Sequence, residues 1–122
     1  MKNPFRVLIV EDERLTAKSL QFFIEDLGAE VLEPVIKGEE AVKIALLENP
    51  DFILMDIRLA GRLDGIEAAQ QIHDKKNIPI AFMTGYATET IQEGTQKIHP
   101  VAFLEKPVNL ESVREIIARM VQ

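Results

Sequence analysis

Short apolar runs alternate with amphipathic stretches five times along the 122 residues of the chain. The runs have the length of β-strands, whereas the stretches between them repeat apolar residues at the three- and four-residue steps of a helix. The predicted strands are 5–10, 29–33, 51–56, 78–83 and 101–104. Five β-α units in series favour right-handed crossovers, a mainly parallel sheet and helices on both of its faces. We therefore predict an α/β fold of the doubly wound (βα)5 type, in one domain of 1–122.

The run at 51–56 differs from the others because it is apolar without alternation until its final aspartate. Such a pattern indicates a strand that is buried on both faces, as in the centre of a parallel sheet. The run at 29–33 is less apolar, which suits an edge strand, and Pro34 follows it where a lost hydrogen-bond donor matters least.

The helical stretches differ in strength. The fourth, predicted over 87–97, holds only Ala87 and Ile91 as apolar residues and includes Gly94, a poor helix former. The last helix has a continuous apolar stripe, and Asn109 precedes it as a predicted N-cap. We therefore expect the fourth helix to be the most weakly held element of the fold.

The formal charge of −6 and the sequence pI of about 4.9 limit what the chain can bind. An acidic domain gains little from a phosphate backbone, so we expect no direct binding of nucleic acid. No apolar run approaches the roughly 20 residues of a membrane helix, and the first residues lead straight into the first predicted strand, so we expect no secretory segment. Cysteine is absent, which excludes disulfides and thiolate zinc sites. We expect a cytoplasmic location.

Polar side chains stand at the carboxyl ends of the predicted strands. Glu11 and Asp12 follow the first, Asp56 ends the third, Thr84 follows the fourth, and Lys106 follows the fifth. Ligands of open parallel sheets bind beyond these ends, so we expect the five side chains to converge. Mg²⁺ would relieve the repulsion among three carboxylates. Asp56 could then attack a phosphoryl group whose oxygens contact the metal, Lys106 and Thr84.

Together these residues resemble the receiver domains of two-component response regulators, the CheY-like family. The matching motifs are Glu11-Asp12, Asp56, Asp64-Gly65-Ile66-Glu67, Thr84-Gly85, Phe103 and Lys106-Pro107. The resemblance implies the strand order 2-1-3-4-5 and Mg²⁺-dependent transfer of a phosphoryl group to Asp56 from a sensor histidine kinase or a phosphotransfer protein. It also implies a signalling domain rather than an enzyme, one that catalyses only its own phosphorylation and dephosphorylation.

The resemblance assigns roles around the metal. Asp12 and Asp56 would be ligands together with the backbone carbonyl of Arg58, and Glu11 would contribute through a water molecule. The side chains that bind the phosphoryl group would be Thr84 and Lys106.

Further implied roles concern switching. Thr84 and Phe103 would be the switch residues, and the peptide bond before Pro107 would be cis. Arg58 and Tyr86 would border the path of the hydrolytic water and tune the lifetime of the phosphorylated state. The signal would leave through the face formed by the fourth helix, the fifth strand and the fifth helix, toward an output partner or a second copy of the chain.

Two departures from the family pattern lie just beyond the predicted acceptor. Ala60 stands where the family usually has a proline, and the loop 59–63 is one residue longer than the common form. The switch aromatic is also Phe103 rather than the frequent tyrosine, so its signal can depend on burial but not on a hydroxyl.

Other interpretations remain open at this level. Single strand-end acids often only cap helices, where they interact favourably with the dipole. An FMN carrier of the flavodoxin type shares the fold, but Glu11 and Asp12 would repel its phosphate. A haloacid-dehalogenase-like phosphatase needs a second aspartate where Arg58 stands, and a pseudo-receiver would serve only for binding. The sequence does not name the kinase, the output, the oligomeric state or a larger parent protein.

Overall fold

Main-chain hydrogen bonds join five parallel strands into one sheet in the computed structural model, which describes residues 4–121. The strands are β1 Arg6–Val10, β2 Glu30–Val31, β3 Phe52–Asp56, β4 Ile80–Thr84 and β5 Ala102–Glu105. The helices are α1 Arg14–Asp26, α2 Gly38–Glu48, α3 Gly65–Lys75, α4 Glu89–Gly94 and α5 Leu110–Val121. The strand order is β2-β1-β3-β4-β5, which confirms the predicted topology. The first three residues and Gln122, which the predicted domain of 1–122 includes, lie outside the described residues.

Each face of the sheet carries its own apolar core. Helices α2 and α3 cover one face, where they pack on Leu8, Val10, Ile53, Met55 and Phe82. Helices α1 and α5 cover the other, where they pack on Val7, Ile9, Phe52, Leu54 and Met83. All five residues of β3 are buried, so the unbroken apolar run does indicate a central strand.

The edge strand is shorter than predicted. We expected 29–33, whereas β2 contains only Glu30–Val31. Pro34 lacks an N–H, so regular pairing stops before it, and the chain rejoins β1 through a single bridge between Val10 and Val35. The irregular edge leads directly into α2.

The fourth helix is also shorter than predicted. The stretch 87–97 contains the six residues of α4, and a separate 3₁₀ helix follows at Gln96–Ile98. The Thr95 hydroxyl donates to the carbonyl oxygens of Ile91 at 3.0 Å and Gln92 at 3.2 Å. A β-branched side chain that bonds back to the main chain in this way weakens a helix, and it follows Gly94 directly.

The remaining strand boundaries move by at most two residues. The strands β4 and β5 begin later than the predicted 78–83 and 101–104, and Thr84 is the last residue of β4. The predicted cap is confirmed, since the Asn109 side chain accepts the N–H of Glu111 at 2.8 Å. In the described part of the chain, none of the helices is both long and apolar enough to span a bilayer.

Candidate functional site

An ion pair joins the ends of β3 and β5. Asp56 is the last residue of β3 and is only 3% exposed. Its Oδ2 lies 2.9 Å from the Nζ of Lys106, and its Oδ1 accepts the N–H of Arg58 at 3.2 Å. The N–H of Lys106 in turn donates to the carbonyl of Thr84 at 2.7 Å. The main chain that follows Asp56 therefore orients its carboxylate, and the backbone of Lys106 is held against the end of β4.

Glu11 is a second carboxylate within reach of the same lysine. It is 1% exposed, and its Oε2 accepts the N–H of Glu13 at 3.1 Å. Its Oε1 lies 3.2 Å from Lys106 Nζ, but at an angle that leaves this oxygen without a hydrogen bond among the described residues. Burial, reinforced by the neighbouring Asp56, raises the pKa of Glu11 from 4.5 to about 7.

Lys106 experiences two opposing effects. Burial alone would lower its pKa, because desolvation disfavours the ammonium form. The hydrogen bond and the charge of Asp56, followed by the nearby Glu11 carboxylate, outweigh burial and raise the pKa of Lys106 above 10.5. The lysine is therefore charged at neutral pH and compensates part of the negative charge around it.

Three carboxylates converge at this edge of the sheet. Glu11, Asp12 and Asp56 each place one oxygen within 4.8 Å of the others, and Asp12 is exposed to solvent. Hard divalent cations bind oxygen ligands and water, and Mg²⁺ uses one or two carboxylates in such sites. The buried oxygen of Glu11 that lacks a hydrogen bond is a further acceptor for a cation or its water. The donor set therefore fits Mg²⁺.

The Thr84 hydroxyl is engaged with the main chain two residues further on. It donates to the carbonyl of Tyr86 at 3.1 Å and accepts the N–H of Tyr86 at 3.3 Å. Thr84 is buried, whereas the Tyr86 side chain is 78% exposed. In this arrangement the hydroxyl holds the β4–α4 loop rather than a ligand.

A cleft of about 420 Å³ opens above the acceptor. Five of the predicted site residues line it together: Asp56, Arg58, Thr84, Tyr86 and Lys106. Ile91 of α4 closes one side of the cleft and also packs against the core. The lining includes the carboxylate of Asp56, the ammonium of Lys106 and the hydroxyl of Thr84. Metal-assisted ammonium and hydroxyl contacts are those that a phosphoryl group on a carboxylate uses.

Phe103 lies on the other side of α4. Its half-buried ring stacks on Phe82 with 5.9 Å between ring centroids. It lines a separate groove of about 410 Å³ with Glu89 and Glu93. The peptide bond between Lys106 and Pro107 is cis.

The loop after Asp56 is anchored from outside by α2. The Glu39 carboxylate accepts the N–H of Arg62 at 3.2 Å and, at a longer 3.5 Å, that of Leu63. Gly61 has a φ of +99°, and a Cβ there would meet Glu39 Oε1 at 2.7 Å. At the end of the loop, a Cβ on Gly65 would lie 2.0 Å from the carbonyl oxygen of Asp56. Both positions therefore require glycine.

The family model described as "Response regulator receiver domain" matches residues 7–118. The chain belongs to this family. Membership in this family excludes two of the other interpretations of the sequence, the flavodoxin-type FMN carrier and the haloacid-dehalogenase-like phosphatase.

Individual relatives agree with this assignment. The receiver domain is 34% identical over 110 residues to the transcriptional regulatory protein PdtaR of Mycobacterium tuberculosis, covering 90% of this chain and 53% of that protein. Its structure is similar to that of the signal receiver domain of a modulated diguanylate cyclase from Desulfovibrio desulfuricans, with a TM-score of 0.87 and 38% sequence identity. The match covers 98% of this chain and 94% of the other. The chain thus spans about half the length of the curated relative.

A third comparison concerns the metal. The receiver domain of the sensor histidine kinase PA1611 from Pseudomonas aeruginosa was solved with a magnesium ion coordinated in its active-site cleft. Its TM-score is 0.84 at 28% identity, and the match covers 98% of each chain.

Sequence reasoning located the strand-end residues of this receiver domain but missed the anchor of its loop. Glu39 stands in the first turn of α2, where an acid is favourable in any helix. Its position in the sequence therefore carries no sign of the contact with Arg62 and Leu63. The glycine at position 61 is the one local indication that the loop makes a close approach.

Proposed function

We propose that this receiver domain accepts a phosphoryl group on Asp56 in a Mg²⁺-dependent reaction. The donor would be a phosphohistidine on a sensor histidine kinase or a phosphotransfer protein. The observation that carries the proposal is the contact of Lys106 with Asp56 inside a cluster of three carboxylates. Structural ion pairs of a folded core do not need two further acids and an open cleft beside them.

Each residue of the site then has a task. Asp12, Asp56 and the carbonyl of Arg58 would bind Mg²⁺, and Glu11 would bind one of its waters. When bound, the metal supplies positive charge that stabilises the transferring phosphoryl group. A carboxylate oxygen of Asp56 attacks phosphorus while the bond to the donor imidazole nitrogen breaks and its electron pair returns to the imidazole.

The two other cleft residues complete the binding of the product. The Lys106 ammonium already lies at Asp56 and would pair with one phosphoryl oxygen. The Thr84 hydroxyl would leave the main chain of Tyr86 and donate to another. Arg58 and Tyr86, large residues on the walls of the cleft, would shield the acyl phosphate from water.

The output would follow from the movement of Thr84. Its release of Tyr86 frees the β4–α4 loop, and the Phe103 ring moves toward the vacated space. The face formed by α4, β5 and α5 would then bind an output partner or a second copy. A small population shift suffices if the two arrangements differ by a few kcal/mol. The proposal includes a cytoplasmic location and no direct contact with nucleic acid.

Incubation with Mg²⁺ and acetyl phosphate, followed by intact-mass measurement, tests the acceptor. We expect a gain of one phosphoryl group that disappears in Asp56→Asn. The matched control is Asp51→Asn, an exposed aspartate just before β3 that accepts the N–H of Arg6. Modification that persists in Asp56→Asn, or that disappears in both variants, would contradict the assignment.

A further inference from the structure

The segment between Asp56 and α3 has little within it to fix its path. It contains Ala60 and Gly61 and no proline, and its side chains are mostly exposed. Its two ends are held, since Arg58 donates to Asp56 Oδ1 and Gly65 donates to the carbonyl of Ile57 at 2.7 Å. The stretch between these ends therefore needs support from another element.

Helix α2 supplies that support at several points. The Glu39 carboxylate accepts the N–H groups of Arg62 and Leu63, and a bridge joins Lys37 to Ala60. A Cβ on Gly38 would lie 2.5 Å from the carbonyl oxygen of Leu63, so the two backbones are in close contact. The N–H of Glu39 itself and those of Arg62 and Leu63 are among the causes that lower the pKa of this carboxyl. A charged acceptor makes stronger hydrogen bonds to N–H groups than a neutral one.

We propose that Glu39 is a positioning residue for the phosphoryl acceptor. By holding residues 61–63 it fixes Arg58, whose N–H orients the carboxylate of Asp56. The part of the inference that concerns Mg²⁺ rests on the proposed function, in which the Arg58 carbonyl is a ligand. The part that concerns Arg58 and Asp56 does not depend on Mg²⁺: it joins the contacts of Glu39 with Arg62 and Leu63 to the contact of Arg58 with Asp56 through the short chain between them.

The first experiment compares Glu39→Ala and Glu39→Gln with Glu115→Ala by NMR. Glu115 is an exposed acid on α5, across the sheet, and its replacement makes the same change in charge. In Glu39→Ala we expect amide exchange at Arg62 and Leu63 to accelerate about tenfold, and the amide signal of Arg58 to shift. Glu39→Gln keeps one acceptor oxygen and should show a smaller effect, and Glu115→Ala none.

The second experiment titrates the same variants with Mg²⁺ alone and follows the amide signals near Asp56. Residues that bond directly to a metal ligand typically change metal affinity by tenfold or more. Glu39 would act through the loop rather than on a ligand directly, so we expect Mg²⁺ binding in Glu39→Ala to weaken severalfold, up to about tenfold.

Two results would overturn the inference. One is unchanged exchange at Arg62 and Leu63 in Glu39→Ala. The other is faster exchange there with an unchanged Arg58 signal and unchanged Mg²⁺ affinity, since Glu39 would then anchor the loop without positioning the acceptor. A wild-type protein that fails to bind Mg²⁺ would instead contradict the proposed function, and the Arg58 signal would still decide the role of Glu39.

Discussion

Lys106 Nζ lies 2.9 Å from Asp56 Oδ2 and connects the ends of β3 and β5. The same nitrogen is 3.2 Å from Glu11, so one ammonium serves two buried carboxylates. With Asp12 beside them, the cluster keeps two uncompensated negative charges when all three acids are ionised. That excess is the charge that a divalent cation neutralises.

Replacing Asp12 with alanine should abolish measurable Mg²⁺ binding, because it removes one charge and one oxygen ligand. In metal-free buffer the same change should leave the fold unharmed or raise its free energy of unfolding by less than about 1 kcal/mol, since it relieves repulsion at an exposed position. Calorimetric titration and thermal unfolding measure the two effects. Asp26→Ala, an exposed acid at the end of α1, is the control. Unchanged affinity in Asp12→Ala would exclude the site.

The double replacement Arg58→Asn, Tyr86→Ala should shorten the life of the phosphorylated state severalfold. Both side chains line the cleft above Asp56, and smaller ones admit water to the acyl phosphate. Intact-mass spectra recorded after removal of the phosphodonor give the rate. Arg114→Asn on α5 should lose phosphate at the wild-type rate. Equal or slower loss in the double variant would show that bulk at these positions does not limit hydrolysis.

Replacement of two glycines by alanine should change the free energy of unfolding in opposite directions. Gly65→Ala places a Cβ against the carbonyl of Asp56 and should lower the free energy of unfolding by about 3 kcal/mol. Gly94→Ala meets no atom within 4 Å and should raise it by about 0.5 kcal/mol, less than in a helix interior because Gly94 is the last residue of α4. Urea denaturation measures both values. A neutral Gly65→Ala would contradict the close packing of α3 against the end of β3.

The contact between Glu39 and the loop should depend on pH. The pKa of Glu39 is lowered below 4.5 by its own N–H and by those of Arg62 and Leu63, with a further contribution from the charge of Arg62. Because the pKa is lowered in the folded state, the contact contributes its full stabilisation above pH 4.5. This stabilisation is lost as the pH falls through the lowered pKa. The amide signals of Arg62 and Leu63 should therefore shift with a midpoint below 4.5. The shift should be absent in Glu39→Gln, and a midpoint at or above 4.5 would contradict the contact.

Phosphoryl binding should loosen α4 and its neighbours. Helix α4 has no buried residue, and weakly packed elements are those that move in switching. Amide exchange with and without beryllofluoride, a mimic of the phosphoryl group, should change over residues 84–104. The α1 and α2 amides serve as an internal reference. Changes confined to those two helices would show that the signal does not pass through α4.

Much of the fold followed from the period of the apolar residues. The central position of β3 was evident because its run never alternates, and the convergence of Glu11, Asp12 and Asp56 followed from the strand ends at which they stand. Their chemical roles stay predictions. The boundaries of β2 and α4 were wrong because of single residues: Pro34 has no N–H for the strand ladder, and the Thr95 hydroxyl bonds back to the carbonyls of Ile91 and Gln92.

The anchor of the loop could not be predicted for a different reason. Glu39 and Arg62 are far apart in the sequence, and their contact depends on how α2 lies against the residues that follow β3. Likewise, the burial of Glu11 depends on the packing around it rather than on its neighbours in the chain. The spacing of apolar residues and the helix or strand propensities describe single elements, whereas these contacts form only when the elements pack together.

Helix α4 contributes no fully buried side chain to either core. Its sequence can therefore change with little effect on folding, while β3 and the two cores constrain almost every residue that they contain. If the face that includes α4 binds the output partner, as proposed, recognition and stability are encoded in separate parts of the chain. The partner surface could then change by substitution in α4 while the two cores and the strand-end residues stay as they are.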